Sequence, residues 1–264
     1  MEETTTQILF TSDSSQNQKI ISDAMVSIAR KFEGHIHWLQ LPANASITQA
    51  LVDDLKKRAN RNLTVTVKSG EFWSTASKCS NTLGFGMAVI FAKSKMGSMI
   101  GGGMTSCVHK FNAPVLYLNP NAKWIEPNNI LMLLDTNSFS RQQFFRVSHI
   151  ANMFRSKVHV LALSDKSDKE TERYLIVYSD QGFDYMKRHG VMVDELKTQP
   201  GVDFVETVIA ASSKLSSCWV CSMNQTDGTR FMKTSPFQHL CNQLPIPLFS
   251  CSVREVVGLS GGGY

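Results

Sequence analysis

The segments Ile8-Leu9-Phe10-Thr11-Ser12-Asp13 and Ile130-Leu131-Met132-Leu133-Leu134-Asp135 decide the fold of this chain. Each is a short apolar run that ends in an aspartate, and the residues that follow keep the same spacing in both places. That spacing relates residues 36–41 to residues 158–163 without a gap. A constant offset that carries apolar and special residues together predicts that the chain contains two copies of one structural unit.

An apolar strand that ends in aspartate and precedes a helix has a functional meaning in α/β proteins. The carboxyl ends of parallel strands form the edge where such sheets bind ligands, so we expect Asp13 and Asp135 to lie at two equivalent edges. Further equivalent pairs are Phe32 and Phe154, His37 and His159, Val89 and Val220, and Pro114 and Pro247. The offset grows along the second copy, which predicts an insertion there, mostly in its second helix.

Strand-length apolar segments alternate with amphipathic helical patterns in both copies. Strands that are apolar throughout are typical of a parallel sheet covered on both faces, so the pattern predicts an α/β fold. We expect two tandem, doubly wound, five-stranded parallel-sheet domains, over residues 1–122 and 123–264, joined by a linker at residues 123–128. In the second copy the pattern predicts helices over residues 138–155 and 167–188.

Composition narrows the class of protein. The chain has 264 residues, of which 42% are hydrophobic and 19% charged, so it can bury a substantial core. The net charge is +5, and the densest basic stretch, at residues 56–61, is typical of a solvated helix face rather than a nucleic-acid site. Neither a signal peptide nor an apolar run of membrane-spanning length is visible, so we expect a cytoplasmic protein with reduced cysteines.

These features resemble the universal stress protein family, in the form where two domains are fused in one chain. The resemblance rests on the strand-Asp openings, the small residues before Phe111 and Leu244, and the closing segments Ala113-Pro114-Val115-Leu116 and Ile246-Pro247-Leu248-Phe249. It implies two adenine nucleotide alpha hydrolase-like domains whose fifth strands pair, which would make an intramolecular pseudo-dimer. Whether the chain also forms a homodimer is left open.

Family members that bind ATP carry the motif G-x-x-G-x9-G-[S/T] between the fourth strand and the last helix, and both copies depart from it here. In the first copy Ala92 and Lys95 replace the leading glycines, and a spacer of five residues precedes Gly101. In the second copy Ser222 and Gln225 take those places, and the spacer before the Thr234-Ser235 step is one residue short. The resemblance therefore implies two degenerate ATP motifs.

Several residues remain candidates for ligand binding. Asp13 and Asp135 could each bind the ribose or adenine edge of a nucleotide, or could cap the following helix through its free N–H groups. Bare amides at a glycine-rich helix start could hold an anion, assisted by Lys93 or Lys95, although the same loop could simply be flexible. In the second copy the hydroxyls of Thr234 and Ser235 at the corresponding turn could bind an anion or could cap the last helix. The candidate residues are Asp13, Ser94, Gly101, Gly102, Gly103, Asp135, Thr234 and Ser235.

Other reactive residues are expected to be structural. Cys218 and Cys221 are three apart within a predicted strand, so their side chains should point to opposite faces instead of forming a redox pair. His239 and Cys241 are two apart on a helix, which turns them away from a common metal ion. His37 and His159 should be packed histidines, each satisfied by a hydrogen bond.

Taken with the resemblance, these observations predict a non-enzymatic stress-response module that binds a small-molecule or protein partner, with no resident cofactor, no nucleic acid and no membrane. The alternative is an adenine-nucleotide-binding protein, holding ATP or AMP, that hydrolyses ATP slowly in the first-domain pocket.

Overall fold

The computed structural model describes residues 7–12, 18–32, 35–40, 49–59, 63–67, 72–83, 86–91, 111, 113–119, 121–196, 198–224 and 236–252. In the first half these residues form β1 (Gln7–Ser12), α1 (Gln18–Phe32), β2 (His35–Gln40), α2 (Gln49–Ala59), β3 (Leu63–Val67), α3 (Phe72–Leu83), β4 (Met87–Phe91) and β5 (Val115–Leu118).

The second half repeats this order with additions. Its elements are β6 (Asn129–Leu134), a 3-10 helix (Ser138–Gln142), α4 (Gln143–Phe154), β7 (Lys157–Ser164), α5 (Lys169–Arg188), β8 (Val193–Glu195), β9 (Gln199–Pro200), α6 (Phe204–Ser213), β10 (Cys218–Asn224), α7 (Pro236–Gln243) and β11 (Leu248–Ser252). The predicted helix over residues 138–155 is wrong in its first turn, which is 3-10. The two-residue strand β9 was not predicted from the sequence.

All strands belong to one sheet with the order β3-β2-β1-β4-β5-β11-β10-β6-β7-β8, and β9 pairs with β7. Every pair within a half is parallel. The first strand of each half therefore lies in the middle, flanked by the second and fourth strands. This order is that of a doubly wound sheet, so the predicted α/β fold class is confirmed.

The register of the strands follows the sequence repeat. Ile8 pairs with Ile36 in the first half, and Ile130 pairs with Val158 in the second, so the constant offset is also a structural equivalence. The predicted insertion is confirmed as well, because α5 has 20 residues where α2 has 11.

One predicted equivalence is wrong by a single residue. Val89 pairs with Phe10 on the central strand of the first half, whereas Cys221, not Val220, pairs with Met132 on that of the second. Since Phe10 and Met132 are equivalent, Val89 corresponds to Cys221. A one-residue shift in a strand exchanges its two faces, and both Val220 and Cys221 suit a buried position in a strand.

The two halves join through their fifth strands. β5 and β11 pair antiparallel, with Leu116 opposite Phe249, as the resemblance implied. The equivalent residues Phe32 and Phe154 meet edge to face on one side of this junction, with ring centroids 6.4 Å apart. Buried Asn119, just after β5, donates from Nδ2 to the carbonyl oxygens of Cys241 and Leu244 in the other half. The division of the chain at residue 122 stays a prediction.

A hydrophobic layer lies on each face of the sheet and runs through both halves. The layer under α1, α2, α4 and α5 includes Ile28, Leu55, Ile150 and Leu175. The opposite layer lies under α3, α6 and α7. Among the described residues, no helix is both long and apolar enough to cross a membrane.

Candidate functional site

The carboxyl edge of each half contains a topological switch point. On either side of the central strand the connections leave toward opposite faces, which opens a crevice between the ends of the first and fourth strands. In the second half this crevice lies between the ends of β6 and β10, and in the first half between the ends of β1 and β4. The strand-Asp opening of the second half places the carboxylate of Asp135 at the end of β6.

Asp135 follows β6 directly and is half-buried. Its Oδ1 accepts a hydrogen bond of 2.9 Å from the backbone N–H of Asn137. The Ser140 hydroxyl then donates to the carbonyl oxygen of Asn137 at 2.8 Å, and the Ser140 N–H donates to the same oxygen at 3.0 Å. The aspartate therefore organises the turn that leads into the 3-10 helix, through a bond to the amide just before the first residue of that helix.

Gln143 ties this turn to the sheet. Its side chain is fully buried, at 0% exposure, and Nε2 donates to the carbonyl oxygens of Leu133 at 2.6 Å and Ser140 at 2.8 Å. Its Oε1 accepts from the thiol of Cys221 on β10 at 3.3 Å. One side chain therefore links the end of β6, the following turn and β10. The second-half crevice has a floor fixed by protein hydrogen bonds.

The first-half crevice differs in its buried polar group. Thr11, two residues before the predicted site residue Asp13, is 1% exposed and pairs with Leu39 and Ile90 on the flanking strands. Its Oγ1 has no hydrogen-bond partner among the described residues. A buried hydroxyl without a partner destabilises the fold by about 1–3 kcal/mol. A polar ligand at this edge could offer it a bond.

Most predicted site residues lie outside the described part of the chain, and Asp135 is the exception. Those outside are Asp13, Ser94, Gly101, Gly102, Gly103, Thr234 and Ser235. Ser222, interpreted above as the first position of the second motif, is buried within β10 and not in a loop. The second-copy motif therefore begins inside β10, where the side chain of Ser222 is buried.

The paired histidines lie near the amino edge, away from both crevices. Nε2 of His159 is 2.8 Å from Oδ1 of Asn129 at the start of β6, and Nε2 of His37 pairs with Oε1 of Gln7 at the start of β1. Burial lowers the pKa of both imidazoles below the usual value of 6.5, although nearby Asp194 opposes this for His159. Each histidine makes the expected hydrogen bond, although Nδ1 of His159 is buried without a hydrogen-bond partner among the described residues.

The second-half cysteines Cys218, Cys221 and Cys241 are buried thiols. Cys218 belongs to the hydrophobic layer under α6 and α7, while Cys221 belongs to the opposite layer, so the predicted divergence of the pair is confirmed. Burial raises the pKa of Cys218 to about 12 and raises that of Cys241 as well, which keeps both thiols protonated and unreactive. Within the described ranges no cluster of three or more His, Cys, Asp or Glu could hold a metal ion.

Sequence reasoning missed Thr11, Ser140 and Gln143. Ser140 and Gln143 have the S-x-x-Q spacing of a capping box, which was a readable signal. The observed bonds differ from that motif, because Gln143 donates to the carbonyl of Ser140 instead of accepting from its N–H. Thr11 gave no signal, since a threonine in a strand is ordinary and only its neighbours make the hydroxyl unusual.

Solved structures share this architecture along nearly the whole chain. A universal stress protein from Archaeoglobus fulgidus DSM 4304 superposes with a TM-score of 0.64 at 14% identity, over 94% of this chain and 96% of that one. A functionally unknown protein from Pseudomonas aeruginosa PAO1 gives a TM-score of 0.66 at 14% identity, over 95% and 93%. Neither a protein-family model nor a curated protein sequence matches. The fold that the resemblance implied is thereby confirmed.

Proposed function

We propose that the chain is a tandem universal stress protein that acts as a non-enzymatic ligand- or partner-binding module in a stress response. The observation that carries the proposal is the state of Asp135, whose carboxylate accepts from the Asn137 amide and shapes the turn after β6. The turn is further held by Gln143. Together with the shortened second motif, this favours a structural role for the second-half aspartate over nucleotide binding.

Other groups that could carry chemistry also have structural roles. The His159 imidazole pairs with Asn129 across the sheet, and burial raises the pKa of Cys218 to about 12. Neither group is placed at a crevice. These roles support a binding module over a hydrolase, because a catalytic base or nucleophile needs access to substrate.

The alternative is an adenine-nucleotide-binding protein with slow ATP hydrolysis in the first-half pocket. The buried Thr11 hydroxyl favours a polar ligand there, because it lies at the carboxyl end of β1 without a protein partner among the described residues. In this hypothesis Asp13 would orient the sugar and the Gly101-Gly102-Gly103 turn would hold phosphate.

Calorimetric titration with ATP, ADP and AMP separates the two functions. We expect no micromolar binding to the wild-type protein and no release of phosphate from ATP. The matched variants are Asp13→Ala and Asp135→Ala. The Asp135→Ala variant should lose about 1 kcal/mol of unfolding free energy, because its turn loses a side-chain bond to a backbone N–H.

Two results would change this picture. Micromolar binding that Asp13→Ala removes and Asp135→Ala preserves would establish the first-half nucleotide site, and hydrolysis with it would establish the enzyme. Binding that Asp135→Ala removes would contradict the structural role of that carboxylate. Native mass spectrometry of freshly purified protein would show whether a different small ligand co-purifies.

A further inference from the structure

A groove of about 690 Å³ runs along α5, between this helix and Arg141 of the 3-10 helix. We propose that this α5 groove, defined by Arg141, Lys169, Arg173, Tyr174, Val177 and Tyr178, binds an acidic amphipathic segment of a partner protein. The inference takes up the partner-binding part of the proposed function and rests on it, but it uses none of the residues of the carboxyl-edge site.

The sequence of α5 has two stripes. Leu175, Gly182 and Met186 lie on the buried side, and Gly182 allows the close approach, because a Cβ there would come within 3.1 Å of Met132 Cε. Glu170, Arg173, Tyr174, Val177 and Gln181 follow the i, i+3, i+4 spacing of a second stripe, which lines the groove. The buried stripe fixes the helix, so the second stripe is presented on a rigid support.

Apolar side chains on this second stripe are open to solvent. Tyr174 is 43% exposed and Val177 is 39% exposed, while Tyr178 forms a buried base with its ring 5.9 Å from that of Tyr174. Exposed tyrosine and valine beside one another on a rigid helix are typical of interaction surfaces. Tyrosine is also among the residues that contribute most to binding energy at interfaces.

Arg141 forms the far wall of the groove and is held in place. Its guanidinium lies 4.9 Å from the ring centroid of Tyr178, and its Nη1 donates to Oε1 of Gln181 at 3.1 Å. These contacts connect the 3-10 helix after β6 to α5. A wall that is already ordered reduces the entropy lost when a partner binds.

The charge of the groove selects the partner. Arg141, Lys169 and Arg173 line it with positive charge, and Glu170 is the one acidic side chain in the lining. Carboxylates on a bound segment would pair with the two arginines and the lysine of the groove. One basic residue on the same segment would face Glu170. The groove therefore fits an acidic segment with apolar residues spaced to cover Tyr174 and Val177.

The shape of the groove favours a peptide segment over a small molecule. From Lys169 to Gln181 the helix advances about 18 Å, and the lining is open along that length. Small-molecule sites enclose about 70–90% of their ligand, which an open surface groove does not do. A helix laid in a groove buries such a stripe through anchors one turn apart.

The first half offers an internal contrast. The corresponding helix α2 exposes Asp53, Asp54, Lys56 and Lys57, which are charged residues suited to water. The second-half helix also exposes charged residues, but it adds the exposed apolar side chains of Tyr174, Ile176 and Val177. Equivalent helices in one chain thus differ in what their outer surface can bind.

The test uses the full-length chain and a random peptide library displayed on phage. Selection on the wild-type protein should enrich acidic peptides with apolar residues three or four apart. The groove variant combines Arg173→Glu with Tyr174→Ser, and the control is Ile176→Ser, which changes a side chain that is 46% exposed but outside the groove. Thermal unfolding monitored by circular dichroism should show that both variants fold.

Fluorescence anisotropy of an enriched, labelled peptide then measures its affinity. We expect the groove variant to bind at least about tenfold more weakly, the control to bind as the wild type does, and added salt to weaken binding. Neutral or basic enriched peptides, no enrichment, or equal binding to the groove variant would overturn the proposal.

Vesicles containing phosphatidylserine provide a second arm. If they bind the wild type and lose binding in the groove variant, the groove faces an anionic membrane and the peptide proposal is wrong. These outcomes are independent of the nucleotide titrations, so failure at the groove and failure at the carboxyl edge can be told apart.

Discussion

The two halves have the same strand order and register, yet they place polar side chains differently around the central strand. In the first half the strand carries buried Thr11, and the equivalent of Gln143 is the apolar Ile21. In the second half the strand carries apolar Leu133, and Gln143 supplies the polar group from the helix, where it is fully bonded. In the second half the turn after the central strand is held by hydrogen bonds of Gln143, while the central strand of the first half keeps a hydroxyl without a described protein partner.

This difference teaches that a repeated fold does not imply a repeated site. The backbone equivalence is exact enough to pair Thr11 with Leu39 and Leu133 with Leu161. The polar residue nonetheless changes place: it is Thr11 on the strand in the first half and Gln143 on the helix in the second half. The outer surfaces of α2 and α5 also differ, since both expose charged residues but α5 adds an exposed tyrosine and valine.

The largest effect is expected from Gln143→Ile, which gives the second half the apolar residue that the first half has at Ile21. The carbonyl oxygens of Leu133 and Ser140 would lose their donor in a buried site, so we expect the unfolding free energy to fall by about 2–3 kcal/mol. Urea unfolding measures the change. The control Phe145→Ala truncates a side chain on the same helix that is 60% exposed and should lose under about 1 kcal/mol. Equal losses would show that the hydrogen bonds of Gln143 do not matter.

A smaller effect of opposite sign is expected from Thr11→Val in the first half. Valine has nearly the shape of threonine and removes a buried hydroxyl that has no described protein partner, so the unfolding free energy should rise by about 1 kcal/mol. Thr171→Val is the matched control, because its hydroxyl donates to Oδ2 of Asp168 at 2.8 Å and its removal should destabilise the protein. Loss of stability in Thr11→Val would mean that the hydroxyl is satisfied in solution.

The smallest effect concerns pH and compares His37 with His159. Burial lowers the pKa of each below 6.5, so the unfolded state binds more protons and stability is lost as the pH falls through the region below 6.5. His35 adds to the lowering for His37, while Asp194 opposes it for His159. Replacing either histidine with glutamine should flatten the dependence of unfolding free energy on pH between about pH 5 and pH 7.5, more so for His37→Gln. A steeper dependence in either variant would contradict the cause assigned to the shifts.

Much of the fold could be predicted because its signals are local or periodic. Apolar strands, the constant offset and the paired closing prolines predicted the strands of both halves, and the larger offset predicted the long α5. The joining of the two halves into one continuous sheet is seen in the structure. The register of β10 could not be obtained this way, since Val220 and Cys221 both suit a buried strand. The 3-10 helix after β6 was not predicted either, because it depends on the hydrogen bonds from Gln143 to the carbonyl oxygens of Leu133 and Ser140.

Of the candidate site residues, only Asp135 lies in the described part of the chain, and its position but not its hydrogen bonding could be predicted. A strand-Asp opening fixes which edge of the sheet the carboxylate occupies, so the position of Asp135 followed from the sequence. Its bond to Asn137 and the tie through Gln143 depend on distances across three chain segments. The groove on α5 was not foreseen, because Arg141 and Tyr178 come from different elements and meet only when the two helices pack.

The sequence by itself determined that this chain is two copies of one doubly wound unit, because apolar periodicity and strand-Asp spacing are properties of neighbouring residues. Only the tertiary structure decided how the turn after β6 is held by Gln143 and that the outer side of α5 exposes a tyrosine. The physical reason is that hydrogen bonding and exposure are properties of surroundings, which are assembled from residues far apart in the chain.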